Sequence, residues 1–174
     1  MRHLLSILVD NQPGVLQRVV SLFARRNFNI DSLAVGTTSD INFSRITVAL
    51  NADSYRLDQI ISQLSKLPPV KAVEHLDSAC AVERGIALIK IRADDLNRLN
   101  ILKIADTFRA NCVDLHSNSI ILEFTGSPNK LNAAVNALNH FGIIELIQSG
   151  SIALNRDNIF LCNHNSKFFH KNLL

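Results

Sequence analysis

The sequence predicts an α+β protein built of two ferredoxin-like βαββαβ domains in tandem, each an antiparallel four-stranded sheet with two helices on one face. Three observations carry this. Apolar runs of period two alternate with apolar positions spaced three and four apart, in the order βαββαβ. The second half of the chain repeats that order. A short stretch, SACAVERG (Ser78–Gly85), separates the halves as a linker, so the domains fall at 1–77 and 86–155, with a tail at 156–174.

Each element has its own signal. HLLSILV (His3–Val9) is a β-rich apolar run. From Pro13 the pattern changes to Val15, Val19, Leu22 and Arg26, flanked by Leu16, Val20 and Phe23, one face of a helix that Asn27 stops. FNIDSLAV (Phe28–Val35) is the second strand and TTSDIN the turn. FSRITVAL (Phe43–Leu50) sets Ile46, Val48 and Leu50 against Arg45, Thr47 and Ala49. Leu57, Ile60, Ile61 and Leu64 mark a helix halted by Pro68 and Pro69, and VKAVEHL (Val70–Leu76) closes the first set. In the repeat, IALIKIRA (Ile86–Ala93) is a strand, and Leu96 to Ala110 a helix with Leu99, Leu102 and Phe108 inward. VDLHS and IILEFTG form a hairpin across Asn118 and Ser119, Asn129 to Phe141 is helical, and IIELIQSG (Ile143–Gly150) is the last strand.

Composition narrows the function classes. With 174 residues, 47% hydrophobic and 19% charged, the chain is core-forming. A net charge of +3 makes no single-sign field of the sort nucleic acids or membranes attract, and no apolar run approaches the ~20 residues that span a bilayer. Cys80, Cys112 and Cys162 are odd in number and far apart, which implies no disulfide framework and suits a reducing compartment. One sheet face needs cover. If Leu5, Ile7 and Val9 meet the helices, then Leu4, Ser6 and Leu8 lie on the other side, awaiting the second domain, a second copy or another subunit.

The stretch DNQPGV (Asp10–Val15) carries the candidate chemistry. Pro13 suits the first helical position, and the N–H groups of Gly14 and Val15 then point out of the helix start, where the dipole favours a carboxylate. Asn11 adds an amide that both donates and accepts, as an α-amino acid's polar ends require. The spacing equally serves a plain cap, with Asn11 and Gln12 capping and Gly14 only a helix-start glycine.

LLSILVDNQPGVLQRVVSLFARRNFNIDSL, followed by TTSDINFSRITV, resembles the ACT domain that opens the small subunit of acetolactate synthase (acetohydroxyacid synthase). VERGIALIKI, FRANCVDLHSNSIILEFTGSPNKLNA and FGIIELIQSGSIAL resemble the second half of that subunit, so the likeness runs from about Met1 to Arg156. It implies a regulatory chain with no catalytic site of its own. Such a chain binds and activates a catalytic large subunit and confers feedback inhibition by valine, leucine or isoleucine in branched-chain amino acid biosynthesis. Thiamine diphosphate, Mg²⁺ and FAD are expected in that partner and no cofactor in this chain. The resemblance also implies a homodimer through ACT domains. Asn11, Gly14, Val15 and Leu16 of one chain would then line the effector site, and Asn29 and Ile30 of its neighbour would complete it. The resemblance thus favours binding over capping.

A stand-alone ACT-type amino-acid sensor would share this site without a catalytic partner, but the second domain reads ADDLNRLN and lacks an N-x-P-G turn. RNA-recognition domains share the βαββαβ order but stack bases on aromatics, whereas the third strand offers Arg45, Thr47 and Ala49. No G-x-S-x-G, H-E-x-x-H or P-loop motif marks an enzyme. Cys162, His164 and His170 in the tail fit no standard zinc spacing, and His3, His75, His116 and His140 read as ordinary strand or surface histidines. The start MRHLLSILVDN reads as a strand rather than a leader, which points to a bacterial cytoplasm or to a plastid stroma with an organelle-encoded chain. The many Asn, Ile, Lys and Phe residues lean toward the plastid.

Overall fold

The structure, a computed structural model, describes residues 1–77 and 80–156. The tail from 157 on, with Cys162, His164 and His170, lies outside the described residues. By compactness the chain divides into two units: Met1–Val82 with the segment that starts at Ala153, and Glu83–Ile152.

The first unit holds β1 (Arg2–Asp10), α1 (Val15–Arg25), β2 (Ile30–Thr37), β3 (Phe43–Asn51), α2 (Ser54–Leu64) and β4 (Val70–Leu76). Its antiparallel sheet runs β2-β3-β1-β4, so β2 is an edge strand. Leu5, Ile7 and Val9 of β1 and Ile46, Val48 and Leu50 of β3 meet Val15, Val19, Leu22 and Phe23 of α1 and Leu57, Ile60 and Leu64 of α2. The two periodicities read in the sequence therefore interlock. Helix α1 ends in a Schellman motif: Asn27 adopts φ 54°, its N–H donates to Ala24 O, and the N–H of Phe28 donates to Phe23 O. The accompanying apolar contact is the edge-on pair of Phe23 and Phe28, ring centroids 6.4 Å apart.

The opposite sheet face is covered. Leu4 and Leu8 are buried, and Leu4 clusters with Ala49, Leu76, Ala81 and Ala153. Ala81 and Ala153 pack in the first unit, although the sequence assigned them to the linker and the second domain.

The second sheet is built on β5 (Ala81–Arg92), whose first two residues fall in the first unit, and the second unit continues with α3 (Arg98–Thr107), β6 (Asn111–Leu115), β7 (Ser119–Gly126), α4 (Pro128–Leu138), a 3₁₀ turn Asn139–Phe141 and β8 (Ile143–Gln148). Its sheet runs β6-β7-β5-β8, and β9 (Ile152–Asn155) pairs β5. This sheet has five strands, not the expected four. Because β9 supplies a backbone partner, β5 starts at Ala81, and most of the expected linker is strand.

Two local expectations are corrected. Pro13 lies in the turn before α1, whose N-cap is Gly14, because Gly14 takes a left-handed φ of 81° and the helix opens only after it. Helix α3 turns Ile101 and Ala105 into the core while Leu99 is 69% exposed; Leu102 and Phe108 pack only partly. Apolar residues occur all round this helix, so periodicity alone gave two possible faces.

Candidate functional site

The expected site residues sit at both ends of α1. Asn11 leaves β1 and is tied to the β2–β3 hairpin: its N–H donates to Asn42 O at 2.7 Å and its Nδ2 to Ile41 O at 2.8 Å. Its Oδ1 accepts from the buried Ser44 Oγ at 3.1 Å. Asn11 thus holds the hairpin tip against the helix start, a role that the spacing of Asn11, Ile41 and Ser44 does not advertise.

Gly14 follows with open space where a Cβ would stand: nothing lies within 4 Å. No side chain caps α1 and no acidic residue stands in its first turn, while the nearby Asp10 carboxylate is drawn to Lys71 Nζ at 2.8 Å. The N–H of Val15 donates to Gln12 O at 3.3 Å, and its side chain is in the core. Val15 therefore offers a ligand little. Among the described residues the N–H groups of Gly14, Leu16 and Gln17 have no partner, so the positive end of α1 is open to an anion. Leu16 is 39% exposed beside it.

Asn29 and Ile30 stand beyond the other end of α1. Asn29 is exposed, with Nδ2 donating to Asp31 Oδ1 at 3.3 Å; Ile30 is half-buried against the core and pairs Leu50. Ser44, which touches Asn11, and Leu50 are separated by six steps of β3, about 20 Å at ~3.3 Å per residue. Within one chain the two groups do not meet.

Other groups carry less. His3 Nδ1 and His75 Nε2 lie 3.1 Å apart, and burial, followed by the His3 charge, lowers the pKa of His75 against the opposing carboxylates of Asp77 and Asp58. Among the described residues no set of three or more His, Cys, Asp or Glu could hold a metal ion, and no helix is long and apolar enough to cross a membrane.

The first unit is a βαββαβ fold whose first helix opens on a left-handed glycine, and residues 5–72 match the model described as AHAS small subunit-like ACT domain. Residues 84–157 match the model described as small subunit of acetolactate synthase. The chain belongs to the acetolactate synthase small-subunit family. It is 44% identical over 154 residues to the acetolactate synthase small subunit of Mycolicibacterium smegmatis, covering 88% of this chain and 91% of that one. It is 42% identical to acetolactate synthase small subunit 2, chloroplastic, of Arabidopsis thaliana, across 90% of this chain and 32% of that protein. The crystal structure of the Thermotoga maritima acetolactate synthase small subunit superposes with a TM-score of 0.85 at 37% identity, over 91% of this chain and 99% of that one.

Proposed function

We propose that this chain binds and activates the catalytic large subunit of acetolactate synthase and carries its feedback inhibition by valine or another branched-chain amino acid. Thiamine diphosphate, Mg²⁺ and FAD belong, in this reading, to the large subunit. The carrying observation is the open start of α1. Its unpartnered N–H groups suit an amino acid's carboxylate, and Leu16 beside them suits an aliphatic side chain.

A second copy completes the site. Edge strand β2 pairs only β3 among the described residues. An antiparallel two-fold pairing of two such edges sets the Ile30 end of one copy beside the Thr37 end of the other. Thr37 pairs Ser44, which touches Asn11, so Asn29 and Ile30 of one copy arrive at Gly14 of the other. An effector bound there shifts the large subunit only through unequal affinity for two arrangements of the complex, typically ~1–3 kcal/mol of coupling. A stand-alone sensor is the lesser reading, since the relatives are named as subunits. The same names support either a bacterial cytoplasm or a plastid stroma.

The test is acetolactate formation by the large subunit with and without this chain, across a valine titration. Gly14→Asp puts a carboxylate where the effector's carboxylate would sit; feedback should vanish while activation persists. Loss of both together, or no activation by the unaltered chain, overturns the proposal.

A further inference from the structure

A cavity of about 120 Å³ lies in the first unit between the end of α1 and one side of α2, lined by Arg26, Phe28, Arg56, Gln59, Ile60 and Gln63. We propose that it binds a small oxyanion of the phosphate class. This goes beyond the amino-acid site, whose α1 half lies at the other end of the helix.

The lining is cationic and amide-bearing, with no acidic residue in it. Arg56 is already aimed. Its Nη2 donates to Asn27 O at 3.0 Å, and its guanidinium carbon lies 4.6 Å from the Phe28 ring centroid. Nη2 also reaches Arg26 O at 3.5 Å, so capping α1 in this way engages two of the five guanidinium donors and leaves three. Among the described residues the side chains of Arg26, Gln59 and Gln63 have no hydrogen-bond or ion-pair partner, and neither Arg26 nor Arg56 meets a carboxylate. Gln59 and Gln63 stand one turn apart on α2 and so present their amides to one place. Buried Ile60 and Phe28 make the floor, which keeps water from screening that side.

The ligand class follows from these donors. Two guanidinium forks and two carboxamides match a group with several equivalent oxygens better than a lone carboxylate or a halide. The volume exceeds the ~30 Å³ of one water several-fold, enough for one tetrahedral anion.

The test is calorimetric titration of the full chain with inorganic phosphate at fixed ionic strength, with acetate and nitrate run in parallel and no amino acid present, so its outcome is independent of the valine response. Saturable binding of about one phosphate per chain is expected, with acetate and nitrate weaker by about tenfold or more. Arg26→Gln, an exposed position, should lower phosphate affinity about tenfold with the melting temperature unchanged, and Gln63→Leu should lower it severalfold. No saturable binding, equal binding of acetate, or phosphate affinity unaltered in both variants overturns the proposal.

Discussion

In the first unit the chain enters α1 through Gly14 at φ 81°, with no acidic residue in the first turn, whereas in the second unit Asp94 holds the turn that leads to α3, whose own N-cap is Asn97. There Asp94 Oδ1 accepts from the N–H groups of Leu96 and Asn97 at 3.0 and 2.9 Å, and Asn97 Oδ1 accepts from Asp94 N–H. The surrounding scaffold is otherwise repeated. Asn11 N–H reaches Asn42 O as Ala93 N–H reaches Asn118 O, and where Asn11 Nδ2 ties the helix start to Ile41 O, Arg98 Nη2 ties it to Ser117 O at 2.6 Å. Two copies of one topology thus differ where a carboxylate would bind. The turn that leads to α3 holds a carboxylate of its own against its N–H groups, and the turn that leads to α1 holds none.

The largest stability effect that sharpens this contrast is expected from Asp94→Ala. It leaves two N–H groups without their acceptor and should cost ~1–2 kcal/mol, the usual range for losing a capping side chain. Urea unfolding measures it. The valine response should be untouched, because nothing in this turn takes part in the proposed effector site. An altered valine response in a folded Asp94→Ala chain would break the division of roles between the two helix starts.

A smaller effect tests the feature the units share. Helix α3 also ends in a Schellman motif, with Arg109 at φ 52° in the place of Asn27, its N–H donating to Asp106 O and Ala110 N–H to Ala105 O. A left-handed conformation costs a residue with a Cβ roughly 1–2 kcal/mol, and asparagine less. Arg109→Gly should therefore stabilise by ~0.5–1 kcal/mol after the glycine's own entropy cost, and Asn27→Gly by less. Equal gains at the two sites would mean that asparagine has no advantage there.

The same comparison explains how much was legible in the sequence. Element order, the inward face of α1 and the stop at Asn27 could be read because apolar spacing and left-handed residues act locally. Strand β9 could not, since Ile152 and Leu154 are exposed and only the pairing with β5 makes them a strand. Nor could the face of α3, where Leu99, Ile101, Leu102 and Ile104 surround the helix and tertiary contact decides. At the site, Gly14 was visible from its place after Pro13 and before an apolar-periodic run. The clamp of Asn11 on Ile41 and Ser44 joins residues about thirty positions apart and left no spacing to read. The proposed pairing of Asn29 and Ile30 with Gly14 rests on family resemblance, because in a single chain they stand apart.

The smallest expected effect is a dependence on pH that separates the units. In the first, His3 on β1 and His75 on β4 share a hydrogen bond at 3.1 Å, which requires one ring nitrogen to remain unprotonated; in the second, His116 instead faces the Asp114 carboxylate at 3.4 Å. Burial, and after it the His3 charge, holds the pKa of His75 below its ordinary 6.5, with Asp77 and Asp58 opposing in part. The folded protein therefore resists protonating His75, and the unfolded chain binds that proton more readily. Stability from this site is complete above about pH 6.5 and is lost as the pH falls below it. Melting temperatures of the unaltered chain should drop more steeply between about pH 7.5 and 5.5 than those of His75→Gln, whose amide keeps a hydrogen bond to His3 but does not titrate. Identical slopes would show that the imidazole pair contributes nothing to the acid sensitivity of the first unit, and its tie between β1 and β4 would then be one of packing alone.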